Sequence, residues 1–344
     1  MIQQSRAARK ARDLGSNQEM TVLLTRRTFV AGGAATVAAK PAIVRAAEPL
    51  VIGTVQANAI HWAQDVAVDK GFYKQAGFEP QFAAHQSSPQ SIELAVSGAY
   101  QIATSQPEPF VAAVEHGARG LAALSAPMNY ADWTLNAVAG ANGLADLKGK
   151  RIGVSSLRTS EAWLTTHLLE ANGVKKGEFE FVATGLSPAK IGALQKGAIG
   201  AAVLYQPTAE LAVAQGLPAL ARYGRLRAYP PVLYVVNREW AANGDAGLRV
   251  ARAIQQAHAW LWDPANRAEA VHILANYSRR EPSLIDRVYD DYFVSGMTYA
   301  KRGEIELAGL DLVLADMAAD GEIAKPPPPA TRYVLARELG GLAI

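Results

Sequence analysis

The sequence predicts an α/β chain folded as two lobes, with two mainly parallel sheets flanked by helices and joined by a two-strand hinge. Three observations lead there. Short apolar strands alternate with helix-length segments from residue 50 to 125. The same alternation restarts at residue 151, after a turn-rich link at 140–149. The last third of the chain is helical and supplies no strands for a sheet of its own, so it packs back on the first lobe. Strands alternating with helices are the pattern of βαβ units and a parallel sheet.

Taken in order, Leu50–Val55, Phe78–Ala83, Ile102–Thr104 and Leu121–Ser125 read as strands of the first lobe. Between them lie helices at Trp62–Gln75, from Ser87 or Ser88 to Gly98, and at Pro107–His116. Pro89 and Pro107 suit first-turn positions, where a missing N–H costs nothing. Trp133–Ala139 is a further strand-like run. The second lobe follows with strands at Arg151–Ser155, Phe179–Ala183 and Ala201–Leu204, and helices at Ser160–Asn172, Pro188–Lys196 and Pro207–Gln215. After the strand Val232–Val236, Leu248, Ala251, Ile254, Ala257 and Leu261 mark one face of a helix. Helices at 265–275, 282–293 and 304–319 complete the chain. The reading assigns 48–139 and 233–344 to lobe 1 and 140–232 to lobe 2, with crossings near 134–140 and 230–236. It contains no repeat of solenoid length.

Composition narrows the function. The net charge of +3 over 344 residues is unevenly spread. Residues 1–46 hold eight Lys or Arg and two acidic residues, which leaves 26 basic and 29 acidic residues for the rest. The folded part is mildly acidic and lacks the basic block that nucleic-acid binding requires. There is no cysteine, which excludes a disulfide framework, a thiolate metal site and a thiol nucleophile. No H-E-x-x-H, G-x-S-x-G or glycine-rich dinucleotide fingerprint occurs. The expectation is a binding protein without metal or cofactor.

Thr25-Arg26-Arg27-Thr28-Phe29-Val30 resembles the twin-arginine export signal. A weakly apolar stretch follows, and Val44-Arg45-Ala46-Ala47 fits a small-residue cleavage rule with the cut after Ala46 or Ala47. Residues 1–47 are therefore set apart as signal peptide and preamble, with Met20 an alternative translation start. The partner implied is the twin-arginine export machinery, and the location the periplasm.

Asp146-Leu147-Lys148-Gly149-Lys150-Arg151-Ile152-Gly153-Val154 resembles the segment that opens the second lobe in periplasmic solute-binding proteins of nitrate/sulfonate/taurine ABC importers. Asp69–Gly77, Leu94–Gly98, Pro107–Gly117, Ala201–Pro207 and Gly321–Val334 resemble further segments of that family in the same order. Gln101 and Gly200 depart from it, standing where the family often has Asp. The resemblance implies the type II periplasmic-binding-protein fold, a monomer, and delivery of a small organic anion such as a sulfonate, taurine or nitrate to a permease with a separate ATPase. It also leaves open a neutral or aromatic nitrogen ligand such as a pyrimidine, a periplasmic sensor, and same-fold enzymes, namely desulfinases and the pyrimidine synthases of thiamine biosynthesis. Those enzymes depend on cysteine-containing segments, and this chain has none.

In α/β sheets ligands sit beyond the carboxyl ends of strands, where helix N-termini offer free N–H groups and a positive partial charge. The loops there nominate Gln56, Asn58, His61 and Trp62, then His85 and Ser87, then Thr104, Ser105 and Gln106. Asn129 and Tyr130 lie at the expected lobe crossing and serve either the cleft or hinge packing. In the second lobe Ser156, Arg158, Thr159 and Ser160 form the strongest anion site of the sequence, joined by Thr184 and Tyr205. Ser87 doubles as a helix cap, Trp62 as a core residue, and Arg158 as a solvated surface cation. Replacing both Arg26 and Arg27 by Lys is expected to leave unprocessed precursor in the cytoplasm. Fractionation and immunoblotting check this, and normal periplasmic accumulation of the variant would contradict it.

Overall fold

The computed structural model describes residues 46–55, 58–224, 227–295 and 298–335; the proposed signal lies outside them, apart from Ala46 and Ala47. The first sheet is an array of two pieces, a two-stranded one of β1 (Glu48–Thr54) and β2 (Phe78–Ala84) and a three-stranded one of β3 (Ala103–Ser105), β4 (Leu121–Ser125) and β10 (Leu233–Asn237). β2 runs parallel to β1 over seven pairs, from Glu48 with Phe78 to Thr54 with Ala84. β1 meets β3 through an Ile52–Ile102 bridge and a Gly53 N–H to Ile102 carbonyl bond of 2.8 Å. β10 lies antiparallel between β3 and β4. The lateral order is thus β2-β1-β3-β10-β4.

The second sheet contains β5 (Trp133–Ala137), β6 (Arg151–Val154), β7 (Glu180–Ala183), β8 (Ala201–Tyr205) and β9 (Ala219–Arg222), in the order β7-β6-β8-β5-β9. This is the same topology. In each sheet the first three strands are parallel, and the fourth place is taken by an antiparallel strand entering from the other half of the chain. β5 therefore belongs to the second sheet, whereas the sequence reading ran lobe 1 to residue 139. The described parts of the crossings, 126–132, 223–224 and 227–232, contain none of the named strands, and a Tyr229 N–H to Asn129 carbonyl bond of 2.8 Å joins them.

Twelve α-helices cover the sheets among the described residues. α1 (Trp62–Asp69) and α2 (Phe72–Gln75) replace the single helix expected over 62–75, because Gly71 adopts φ +71° and breaks the run. α3 (Ser88–Val96) and α4 (Pro107–Glu115) flank the first sheet. α5 (Ser160–Ala171), α6 (Ser187–Gln195) and α7 (Thr208–Ala214) flank the second. α8 (Arg238–Ala242) and α9 (Ala246–Trp262) follow β10, and α9 buries Ala251, Ile254, Ala257 and Leu261, as its spacing predicts. α10 (Arg267–Ser278), α11 (Pro282–Tyr289) and α12 (Leu307–Ala319) close the chain, and α10 packs on α1 in the first lobe. The short strand β9 and helix α8 have no counterpart in the sequence reading; Ala-Leu-Ala-Arg lacks the β-branched residues that signal a strand. No helix among the described residues is long and apolar enough to cross a membrane.

Trp62 is wholly buried. Its indole N–H donates to the Ala270 carbonyl at 3.0 Å, and Tyr289 and Phe293 pack edge-on against the ring at 5.8 and 5.6 Å. This ties α1 to the helical tail. In the second lobe the buried feature is ionic. Glu161 of α5 and Lys190 of α6 have no side-chain exposure and pair at 2.6 Å. Lys190 also donates to the Val203 carbonyl at 2.9 Å and to Ser155 Oγ at 3.1 Å. The Ser155 N–H donates to Glu161 at 2.8 Å, and the hydroxyls of Ser155 and Tyr205 complete the carboxylate's shell. Burial pushes the Lys190 ammonium below its ordinary range, and the Glu161 charge opposes that shift. Lys190→Met removes the counter-charge of the buried Glu161, with an expected loss of about 3–5 kcal/mol of folding stability. Denaturant titration measures it; a loss within the ~1 kcal/mol of an exposed pair would contradict this account.

Candidate functional site

A cavity of about 140 Å³ lies between the lobes, lined by residues of both. Four helices of eight residues or more begin at it, two from each lobe. α3 starts at Ser87, whose hydroxyl accepts from the Gln90 N–H at 3.4 Å, and α4 starts at Gln106. Across the cleft, α5 starts at Thr159 and α6 at Leu186. Proline stands in the first turn of α3, α4 and α6. The sequence thus starts these helices where the chain leaves a strand, and their free N–H groups gather at the cavity wall.

The charges of the lining are one-sided. Among the described lining residues there is no carboxylate, and the one cation is Arg280, just past the C-terminus of α10. Its Nε is buried without a hydrogen-bond partner. His61 and His85 also line the cavity, each only 3% exposed. Burial pushes His61 down to about 3, with the nearby His85 adding to the effect, and burial pushes His85 down to about 4. Both are therefore neutral near pH 7, and the Nδ1 of each lacks a partner. No group of three or more metal-ligating side chains occurs among the described residues.

Hydrogen bonds cross from lobe to lobe around the cavity. Gln106 Nε2 donates to the Tyr205 hydroxyl at 3.0 Å, which links the floor to the buried Glu161. The Ala59 N–H donates to the Gln206 carbonyl at 3.0 Å. Behind the cavity the Glu108 carboxylate of α4 accepts from Ser160 Oγ at 2.8 and 2.9 Å and from the Tyr229 hydroxyl at 2.6 Å. Burial raises the Glu108 carboxyl above its ordinary range, and these hydrogen bonds oppose the shift. On the far flank Arg222 pairs with Asp291 at 2.9 Å and Glu210 at 2.6 Å.

Of the residues nominated from the sequence, Asn58, His61, His85, Ser87, Thr104, Ser105, Gln106, Ser156, Thr159 and Tyr205 line this cavity. Gln56 lies outside the described residues. Trp62 is core. Asn129 is hinge packing: its side chain donates to the Glu304 carbonyl at 2.8 Å and accepts from the Glu306 N–H at 2.9 Å. Tyr130 donates to Glu306 at 3.3 Å beside it. Ser160 is turned away to Glu108, and Thr184 donates to the Val182 carbonyl at 3.0 Å. Arg158 is displaced most. Its side chain is 82% exposed, stands 3.5 Å from Glu322, and lines a separate groove of about 510 Å³. Its place one residue before the Thr159 cap sends it outward along the helix start, so the cation of the cavity is Arg280 instead.

The nominated set omits Ser88, Ser155, Ser187 and Gln206, although they lie in the loops that the sequence singles out, and it omits Thr208 and Arg280, which lie in none of them. A signal for three of them exists. Ser88-Pro89-x-x-Ile92 with Gly98-Ala99 and then Gln106-Pro107 is matched by Ser187-Pro188-x-x-Ile191 with Gly197-Ala198 and then Gln206-Pro207. The match joins corresponding parts of two sheets of equal topology, and both Ser-Pro pairs and both Gln residues line the cavity. Arg280 carries no such mark, because only the fold returns it to the cleft.

The alkanesulfonate-binding protein SsuA of Xanthomonas axonopodis pv. citri, bound to MOPS, has a similar structure: TM-score 0.68, 20% identity, covering 83% of this chain and 99% of that one. So does the ligand-binding component of an ABC-type import system from Staphylococcus aureus with zinc bound, at TM-score 0.73, 12% identity, 86% and 99%. The periplasmic nitrate-binding protein NrtA of Synechocystis PCC 6803 gives TM-score 0.66, 14% identity, 81% and 83%. At these identities the likeness establishes the two-lobed type II periplasmic-binding-protein fold. No curated protein sequence matches the chain. The family model described as NMT1/THI5 like matches residues 58–267, more than half of the chain, and the protein belongs to that family.

Proposed function

We propose that the protein is the extracytoplasmic solute-binding subunit of an ABC importer, which holds a small organic anion between its lobes and delivers it to a permease served by a separate ATPase. The carrying observation is the charge of the cavity: four helix N-termini and Arg280 around a lining free of carboxylates among the described residues. Such a wall attracts an anion through N–H groups and positive partial charge, and Arg280 supplies a full charge. The volume, about 140 Å³, suits a solute of a few heavy atoms. Fold relatives that include an alkanesulfonate-binding protein, a nitrate-binding protein and the ligand-binding component of an ABC-type import system support the same reading. In this reading the lobes divide at the two crossings, the twin-arginine segment exports the chain to the periplasm, and the ligand leaves unchanged.

A thermal-shift screen of the mature protein against sulfonates, nitrate, carboxylates and pyrimidines tests the reading. A true ligand at 100 times its dissociation constant adds about 2.7 kcal/mol of stability. Arg280→Ala is expected to weaken anion binding by about 10- to 100-fold, the value of a charged hydrogen bond. Arg158→Ala is expected to leave it unchanged, because that side chain stands outside the cavity. Calorimetric titration of both variants decides; an effect at Arg158 with none at Arg280 would overturn the assignment, and selective stabilisation by a neutral pyrimidine would favour an uncharged ligand.

The neutral histidines also set a pH dependence. His61 at about 3 and His85 at about 4 lie below the ordinary 6.5, so the unfolded chain takes up their protons first as the solution is acidified. Their contribution to stability is complete above about pH 6.5 and falls as pH drops toward 4, by about 1.4 kcal/mol per pH unit for each histidine. Denaturation at pH 7 and pH 4.5 should show a steeper loss in the parent than in the His61→Gln/His85→Gln variant. Equal slopes would contradict it.

A further inference from the structure

Among the described residues, ion pairs join the lobes on both flanks of the cleft, and the two flanks are built differently. On one, Arg158 just before α5 stands alone against Glu322 at 3.5 Å, with 82% of its side chain exposed. On the other, four charges close a ring. Asp291, just past the end of α11 in the first lobe, pairs with Arg222 of β9 at 2.9 Å. Arg222 pairs with Glu210 of α7 at 2.6 Å. Glu210 stands 3.9 Å from Arg287, which lies one helical turn before Asp291. The signs alternate around the ring, and two of its four sides cross from lobe to lobe.

Arg222 makes the ring attractive. Its two terminal nitrogens are divided between one carboxylate of each lobe, Nη1 donating to Asp291 and Nη2 to Glu210. Without the guanidinium these are like charges on opposite sides of the cleft, and they repel. Asp132, in the first crossing, is a third acid beside them. Burial pushes its carboxyl up to about 7, the charges of Asp291 and Glu210 add to the rise, and Arg222 opposes it. Asp291 also accepts from Gln206 Nε2 at 3.4 Å, and Gln206 lines the cavity, so the ring stands at the cavity's edge. A lone exposed pair such as Arg158 with Glu322 contributes little, whereas several charges joined in a network contribute more.

We propose that Asp291, Arg222, Glu210 and Arg287 form a clasp that holds the lobes together whether or not the cavity is filled, with Arg222 as its central member. The side chains of Arg222 and Arg287 are 47% and 57% exposed, so dissolved ions reach the clasp. Closure of the cleft therefore depends on ionic strength. None of this depends on which solute enters the cavity.

Spin labels test it. The chain has no cysteine, so Ala214→Cys and Ser283→Cys give two unique labelling sites. Both positions are exposed, and they lie one turn from Glu210 on α7 and from Arg287 on α11, on opposite sides of the clasp. Dipolar distance measurements on the unliganded mature protein should show one short separation at about 0.01 M salt. A longer one should appear at about 1 M, where the screening length has fallen from about 30 Å to about 3 Å. Arg222→Met in the labelled chain should raise the ratio of long to short separations about five-fold or more at low salt. Arg158→Met should leave that ratio unchanged. An unliganded melting temperature confirms that each variant folds, and the salt series on the parent decides alone if Arg222→Met does not. A mainly long separation in the parent at low salt overturns the clasp. So does a distribution that salt or Arg222→Met fails to move, or one that Arg158→Met moves equally. Each of these outcomes leaves the solute-binding reading standing.

Discussion

The buried pair of Glu161 and Lys190 is the constraint on which the cavity depends. It joins α5 to α6, holds the end of β6 through the Ser155 N–H and hydroxyl, and holds β8 through the Val203 carbonyl and the Tyr205 hydroxyl. Two ions removed from water on this scale are seldom a net source of stability, because desolvation offsets most of their attraction. What they supply is position. Apart from the bond between them, the two side chains are bonded to Ser155 at the end of β6, to Val203 within β8 and to Tyr205 at its end. Tyr205 carries that order across the cleft to Gln106.

The repeated topology of the two sheets explains why the wall is made twice. Each sheet takes its antiparallel strand from the other half of the chain, so the lobes cannot separate without moving two covalent crossings. Each first strand also carries a glycine where the next layer approaches closely. A Cβ at Gly53 would meet the Tyr100 ring at 2.4 Å, and one at Gly153 would meet Ile199 Cδ1 at 2.7 Å. Those contacts draw the segments before β3 and β8 against the first strands and set how the following Gln-Pro pairs reach the cleft.

The fold was largely legible in the sequence, since strand and helix alternation is local and each apolar run is bounded by its own turn signals. Ten of the nominated site residues lie in the cavity for a similar reason: loops after parallel strands converge by topology alone. The failures are of one kind. Trp62 has the chemistry of a ligand wall, and only the helical tail, more than two hundred residues on, makes it core. Arg158 sits in the right loop, but its direction is set by the helix start that follows it. Arg280 sits in no recognisable loop at all and reaches the site through the docking of α10. The Ser-Pro and Gln-Pro correspondence was present in the sequence but at a spacing near one hundred residues, longer than the period of any solenoid.

Glu108 gives the closed cleft its mechanical character. Its carboxylate is buried between the lobes by bonds to Ser160 and Tyr229, yet burial alone raises its proton affinity, so the same contact that fastens the lobes withholds water from a charge. Opening breaks the bonds and returns the hydration, and the two changes largely cancel. The fastening therefore stores little energy in either direction. A contact balanced in this way lets the two lobes shift against each other without either having to unfold.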